Sequence, residues 1–173
     1  FSFLKRNIEY DISGNHLLEN HLSILYASIF FDQKKLFKKY LIATKKVLNN
    51  QILDDGAHYE LSAMYHGIIF SKLIDLVNYA KSNLYLTKNN FTSFKQILTK
   101  MLSWSYQIEC YDQMPLLNDS SKSLTYSFKK LNTMYKNVFG HYFLANNIVP
   151  LGKSGYRKFK TKNYELLADI GNI

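Results

Sequence analysis

The stretch NHLLENHLSILYASIFFDQKKLFKKYLIATKKVLNN (residues 15–50) predicts a helical hairpin, because it holds two apolar patterns of helical spacing around a short polar turn. Its first half, which predicts a helix over residues 15–31, repeats apolar side chains every three or four positions: Leu18, Leu22, Leu25 and Ile29. Its second half predicts a helix over residues 33–49 with an inner face of Leu36, Tyr40, Ala43 and Val47. Helices joined by so short a turn pack as antiparallel hairpins.

The same spacing continues along most of the chain. Further helices are predicted over residues 60–80, 91–106 and 124–139. Residues 3–10 are interpreted as the end of a helix that breaks at Ser13-Gly14, and residues 113–121 as irregular. No repeat of fixed period is present, so we expect an array of antiparallel helical hairpins and not a regular solenoid.

The last twenty residues change character, because polar and apolar side chains alternate in SGYRKFKTKNYELLADIG. This period of two predicts a β-hairpin in which residues 156–160 pair with residues 164–169. A lone hairpin is only marginally stable in water, so we expect it to begin a larger sheet. The predicted organisation is a helical segment over residues 1–150, incomplete at its N-terminus, and the first strands of a truncated β domain over 151–173.

Composition sets limits on the class of protein. The 173 residues are 47% hydrophobic and 16% aromatic, which favours a packed domain over a disordered chain. No apolar run is long enough to predict a membrane span. The net charge of +9 suits a polyanionic partner, but a Lys-rich and Asn-rich composition is equally typical of an AT-rich genome. The single cysteine, Cys110, excludes an internal disulfide and a CxxC metal site.

Three polar clusters interrupt the apolar patterns. They are Asn15-His16, the segment DDGAHYELSAMYHG (residues 54–67), and the segment MPLLNDSS (residues 114–121). If helices pair antiparallel, the second and fourth helices start at the same end of the helical array, which we call the rim. Asn15-His16 would meet Tyr65 and His66 there. Asn15 is also an ordinary helix cap, His16 an ordinary surface residue and Tyr65 an ordinary core tyrosine. The metalloprotease motif HExxH, the dinucleotide motif GxGxxG and the P-loop are all missing from the sequence.

Four segments resemble the heparinase II/III-like polysaccharide lyases in order and spacing. The segments are GNHLLENHLSILYASIFF, ILDDGAHYELSAMYH, MPLLNDSS and SGYRKFKTKNYELLADIGNI, and the similarity runs from Ile8 to Ile173. The resemblance implies an incomplete α/α toroid that leads into an antiparallel β-sandwich domain. It implies cleavage of uronic-acid polysaccharides by β-elimination, and a location in the bacterial periplasm or cell envelope, although this chain carries no signal peptide.

The resemblance also assigns roles to residues of this chain. Asn15 and His16 would neutralise the substrate carboxylate, and Tyr65 would give a proton to the leaving oxygen and can also act as base. A glutamate three residues after the histidine falls on Glu19. A further catalytic histidine is expected in the remainder of the β domain, beyond Ile173, so this chain alone is expected to be a poor catalyst. Substrate contact or support of those residues is expected from the other polar residues of the clusters: Glu60, His66, Asn118 and Asp119.

Three hypotheses remain open on the sequence. The first is a fragment of a polysaccharide lyase. The second is a non-catalytic helical module that binds an acidic glycan or a protein partner. The third, nucleic-acid binding, is favoured only by basic charge and aromatic content, and we expect no nucleic-acid partner. We predict no metal ligands and no cofactor in this chain, whereas the resemblance allows a divalent metal in the remainder of the β domain. The expected partners are an acidic polysaccharide and that remainder.

Overall fold

The computed structural model describes residues 2–10 and 15–171, apart from the side chain of Ala145, and confirms the mainly α fold. The helices are α1 Ser2–Arg6, α2 Asn15–Phe30, α3 Lys34–Gln51, α4 Ala63–Ser82, α5 Lys88–Ile108 and α6 Phe128–Phe139. A 3₁₀ turn at Ala145–Asn147 precedes strands β1 Tyr156–Lys160 and β2 Glu165–Asp169. Within the described part of the chain, no helix is long and apolar enough to cross a bilayer.

The helices form antiparallel hairpins whose turns lie side by side. The turn between α2 and α3 is joined to the turn between α4 and α5 by the Tyr85 hydroxyl, which donates to Asp32 Oδ1 at 2.6 Å. The same ring packs edge-on against Phe37, with centroids 4.9 Å apart. Helices α2 and α4 therefore run in the same direction, and both of them begin at the opposite end of the array. Helix α4 also packs against α6, so it lies between α2 and α6.

The main core is built from the apolar stripes of the helices. The predicted stripe of α2 is confirmed, since Leu18, Leu22, Leu25 and Ile29 are all buried. The predicted inner face of α3 is confirmed only in part, since Leu36 and Val47 pack against the core but are only partly buried. Of its members only Tyr40 is buried, and the residues that fill the core are Phe37, Leu41 and Leu48. Both sets have helical spacing, so spacing alone does not select between them.

Helix α4 begins three residues later than predicted. The Ser62 hydroxyl accepts the backbone N–H of Tyr65 at 3.2 Å, which caps the helix and makes Ala63 its first residue. Leu61 has a φ of 56°, in the left-handed region that a helix cannot include. Glu60, which the periodicity placed on the helix, therefore lies in the preceding loop.

The C-terminal hairpin forms with the predicted first strand. Strands β1 and β2 pair antiparallel from Tyr156 opposite Asp169 to Lys160 opposite Glu165. The hairpin packs on the C-terminal half of α5, where the Tyr156 ring lies 6.0 Å from Trp104 between centroids. Helix α1 ends at Arg6, short of the predicted residue 10, and the break predicted at Ser13-Gly14 falls outside the described residues.

Candidate functional site

The starts of α2 and α4 meet through Glu60. Its carboxylate accepts a hydrogen bond from the backbone N–H of Asn15, the first residue of α2. The loop that carries Glu60 leads directly into the cap of α4. Backbone N–H groups at a helix start have no partner within the helix, so a carboxylate placed there satisfies one of them and favours the helix dipole. Glu60 thus holds the Asn15-His16 pair at the rim where α4 begins.

The imidazole of His16 is the exposed group of the pair. Its Nδ1 lies 3.8 Å from Glu9 Oε2, and 58% of the side chain is open to solvent. Asn20, one turn further along α2, donates from Nδ2 to the same Glu9 oxygen at 2.9 Å and to the His16 carbonyl at 2.9 Å. Glu60 also interacts electrostatically with His16. The ring therefore stands in solvent beside two carboxylates, accessible to a ligand.

Burial raises the pKa of Glu60 and is the largest of the effects on that pKa. The Asn15 N–H and the nearby His16 lower the pKa, whereas the charge of Asp119 raises it further. These three neighbours come from α2 and from the loop before α6. Their common influence on one carboxyl shows that Asn15, His16, Glu60 and Asp119 share one region of the structure.

Tyr65 lies in the first turn of α4, on the rim that carries Glu60. Its backbone N–H binds the Ser62 cap, and its side chain is half-buried. Its hydroxyl makes no hydrogen bond to any residue in the described part of the chain, which leaves the phenolic proton available to a ligand. Ile68 and Lys72 follow on the same face of α4 and are also half-buried, so this face is open along two turns.

Glu19 lies one turn after Asn15 on α2 and pairs with Lys72 of α4. Both side chains are partly exposed, at 31% for Glu19 and 43% for Lys72. Tyr26 supports the pair, because its hydroxyl donates to the Lys72 carbonyl at 3.3 Å. The structure therefore places Glu19 at the border of the open face of α4, with its carboxylate already neutralised by a lysine.

The segment with Asn118 and Asp119 closes the other side of the rim. Asn118, at a φ of 50°, donates from Nδ2 to the Leu61 carbonyl at 3.0 Å. The Asp119 carbonyl accepts from the Ser62 hydroxyl at 3.3 Å, and the Ser120 hydroxyl accepts the Met64 N–H at 3.2 Å. The segment thus fixes the first turn of α4, while the side chains of Asn118 and Asp119 remain exposed.

His66 lies in the interior, away from the rim. Its Nδ1 accepts the His58 backbone N–H at 3.2 Å, so the ring proton sits on Nε2. That nitrogen lies 3.1 Å from both the Met101 carbonyl and the Ser105 hydroxyl. Burial, with the nearby His58, lowers the pKa of His66 to about 3 and keeps the ring neutral. His66 therefore acts on the site only through the loop that it holds.

His58 is also buried, and the sequence predicts no role for it. Its ring is fully buried, and burial lowers its pKa to about 4. Nδ1 lies 3.9 Å from Glu60 Oε2, and neither ring nitrogen has a hydrogen-bond partner among the described residues. The residue thus packs directly behind Glu60. The only signal in the sequence is its place in the polar run DDGAHYE, which does not distinguish a buried from an exposed histidine.

Asp55 was also missed, and it joins the loop before α4 to the start of the hairpin. One carboxylate oxygen accepts from the backbone N–H groups of Gly152 at 2.9 Å and Ser154 at 2.8 Å, and from the Ser154 hydroxyl at 2.7 Å. The other oxygen accepts the Ala57 N–H at 3.3 Å. Burial opposes ionisation, but these hydrogen bonds outweigh it and lower the pKa of Asp55.

The next residue, Gly56, requires the conformation that only glycine adopts easily. Its φ is +92°, and a Cβ at this position would lie 2.0 Å from the backbone carbonyl oxygen of Lys100. The loop therefore lies directly against α5, which fixes the position of the Asp55 carboxylate. Among residues 2–10 and 15–171, no group of three or more His, Cys, Asp or Glu side chains is arranged to hold a metal ion.

We expect Glu60→Ala to loosen the start of α2. The change removes the acceptor of the Asn15 N–H and should cost about 1 kcal/mol of unfolding free energy, as loss of a helix cap does. Amide hydrogen exchange at Asn15 should accelerate in this variant. Glu60→Gln is the matched control, because its amide oxygen can still accept, and it should retain most of the protection. Equal exchange in wild type and Glu60→Ala would show that Glu60 does not anchor α2.

We expect the free energy of unfolding to fall between pH 7 and pH 5. His58 and His66 have folded pKa values of about 4 and about 3, below the unfolded value near 6.5. The folded state binds fewer protons than the unfolded state in this window, so acidification favours unfolding, by about 2 kcal/mol per histidine at pH 5. Urea unfolding at the two pH values measures the loss. His58→Gln should reduce it, and an unchanged free energy in the wild type would contradict the burial of these rings.

The family model described as the heparinase II/III N-terminus matches residues 2–144. A heparin-sulfate lyase of Bacteroides stercoris is 26% identical over 159 residues, which cover 84% of this chain and 22% of that relative's length. No solved structure matches. Since the family model covers the helical array from α1 to the end of α6 and beyond, the chain belongs to the heparinase II/III-like family.

Proposed function

We propose that this chain carries part of the active site of a polysaccharide lyase that cleaves uronic-acid-containing glycans by β-elimination. The observation that carries the proposal is the grouping of Asn15 and His16 with Tyr65 at the common rim of α2 and α4, where Glu60 links the two helix starts. Membership of the family and the similarity to a heparin-sulfate lyase support it.

β-Elimination requires hydrogen-bond donors that stabilise a growing negative charge on the uronate. Removal of the proton at C5 of a uronate places negative charge on a carboxylate that is already anionic. The Asn15 amide and a protonated His16 would donate hydrogen bonds to that carboxylate and stabilise the enolate-like intermediate. Asn15 is the first residue of α2, so the positive end of the helix dipole adds to this stabilisation.

The remaining steps break the bond to the leaving sugar. A general base takes the C5 proton, and the electron pair of that C–H bond forms the double bond between C4 and C5. The bond from C4 to the glycosidic oxygen then breaks, and Tyr65 gives its phenolic proton to that oxygen. The half-buried position of Tyr65 beside an open face of α4 suits this role, because its hydroxyl has no hydrogen-bond partner among the described residues.

Other residues of the rim would position these groups and would not react. Glu60 and His58 would hold the start of α2, and His66 would hold the loop beneath them. Lys72 would keep the charge of Glu19 from repelling a uronate. The exposed carboxylate of Asp119 lies on the same side and would limit how closely an anionic sugar approaches Glu60.

The test is formation of an unsaturated uronate, which absorbs in the ultraviolet. The protein that joins this chain to the remainder of the β domain, where the further catalytic histidine is expected, should be incubated with heparan sulfate, heparin and alginate, and the absorbance followed with time. Growth of absorbance with at least one polymer supports the proposal. Binding of a polymer without any growth favours the second candidate, a non-catalytic module that holds an acidic glycan, which the net charge of +9 also suits.

A further inference from the structure

A groove lies on the outer side of α5, away from the rim of α2 and α4. It has a volume of about 720 Å³, within the range of about 300–1,000 Å³ that small-molecule sites occupy. Its floor is the face of α5 that carries Thr92, Gln96 and Thr99. This face is opposite to the one that buries Phe94 and Leu98 in the core. None of its lining residues belongs to the candidate site described above.

The charged groups of the groove are all cationic or potentially cationic. Lys95 and Lys100 come from α5, and His141 comes from the segment after α6. None of the described residues that line the groove is an acid, and neither lysine forms an ion pair with a described acid. The groove therefore presents positive charge that nothing in the described structure neutralises, and it suits an anionic ligand.

Two of these three side chains, Lys95 and His141, are held in place by contacts with aromatic rings. Lys95 Nζ lies 5.8 Å from the centre of the Phe139 ring, within reach of a cation–π interaction. The His141 ring packs edge-on against Tyr135 at 5.7 Å between centroids, and its Nδ1 lies 3.0 Å from the Tyr142 carbonyl. Nδ1 must carry a proton to donate to that carbonyl. Groups fixed in this way lose less freedom when a ligand binds than free lysines do.

The other lining side chains are neutral and suit hydroxyl groups. Amides are supplied by Asn49, Gln96 and Asn147, and hydroxyls by Thr92, Ser93 and Thr99. The aromatic residue of the groove, Tyr135, is only 2% exposed, and its hydroxyl is hydrogen-bonded to Thr99 at 2.8 Å. The buried Tyr135 ring is therefore unavailable to stack on a nucleic-acid base.

We propose that this groove binds an anionic oligosaccharide, as a second site separate from the rim that carries Tyr65. The cations would pair with carboxylate or sulfate groups, and the amides and hydroxyls would bind the sugar hydroxyls. We infer a saccharide, and not a free inorganic ion, because the proposed function acts on anionic saccharides; this part of the inference rests on the proposed function. The presence of an anion site rests only on the lining residues of the groove.

The test is binding of a heparin-derived tetrasaccharide, followed by calorimetry and by the backbone amide signals of Thr92 and Lys95. The double variant Lys95→Gln/Lys100→Gln should bind about five to ten times more weakly, the effect expected for loss of two charge contacts. The matched control Lys38→Gln/Lys162→Gln removes the same charge at exposed positions outside the groove, and it should change the affinity less than about twofold.

Several results would overturn the inference. Equal weakening in the two double variants would show unspecific attraction to a basic surface, and no binding would exclude the site. Equal binding of maltotetraose, which is uncharged, would exclude recognition of an anion. Equal affinity for inorganic sulfate would exclude the saccharide. Tyr65→Phe should leave this binding unchanged, so a failed lyase assay and a failed groove assay are distinguishable.

Discussion

Tyr65→Phe should abolish the formation of unsaturated uronate while the substrate still binds. The substitution removes one oxygen and its proton and leaves the ring in place. Loss of a general acid typically lowers the rate by about 10² to 10⁴-fold, so the absorbance should stay at the blank. The measurement is the initial rate with the most rapidly cleaved polymer from the panel of uronates, at saturating concentration.

Tyr79→Phe is the matched control for this prediction. Tyr79 lies on the same helix, α4, but near its other end, and its ring stacks on Tyr26 at 5.9 Å between centroids. It should retain the wild-type rate within about twofold, as a distant conservative change does. Activity in Tyr65→Phe close to that of Tyr79→Phe would remove Tyr65 from the chemistry.

Asp55→Ala should lower the free energy of unfolding by at least about 3 kcal/mol. The reason is that the variant leaves the N–H groups of Gly152 and Ser154 without their acceptor at the junction between the helices and the hairpin. Urea unfolding can be followed by fluorescence of Trp104, the only tryptophan, whose Nε1 donates to the Ser154 hydroxyl at 3.3 Å.

The neighbouring residue supplies the control for Asp55. Asp54 is exposed, and Asp54→Ala should change the free energy of unfolding by less than about 0.5 kcal/mol. Similar small losses in both variants would mean that the hairpin does not depend on the buried carboxylate. Because the folded pKa of Asp55 is lowered, its contribution is present above pH 4 and is lost as the pH falls through the folded value.

The helices and strands with a strong period of apolar residues were predictable from the sequence. Their exact ends were not, because polar side chains set them. The stripe of α2 and the first strand of the hairpin follow directly from spacing. The starts of α4, α5 and α6 are set by hydroxyl caps from Ser62, Thr87 and Ser127. A Ser or Thr is common in loops as well as at caps, so its presence alone does not fix a boundary.

The site was only partly predictable for a related reason. The grouping of Asn15 and Tyr65 at one rim follows from antiparallel hairpins. The hydrogen bond from Asn15 to Glu60 could not be predicted, because the spacing of apolar residues placed Glu60 on α4, whereas it lies in the preceding loop. Asp55 is buried because residues 152–154 fold back over it, and its neighbour Gly56 lies directly against α5. These contacts join residues that are distant in sequence, so local spacing does not predict them.

We expect Asn15-His16 to face a sugar carboxylate. The Asn15 side-chain amide and the His16 ring should be followed by NMR during titration with a uronate tetrasaccharide. A second titration uses the same tetrasaccharide with its carboxyl groups reduced to alcohols. We predict that both signals shift with the uronate and stay unchanged with the reduced sugar. Equal shifts with both sugars, or none with the uronate, would contradict the claim.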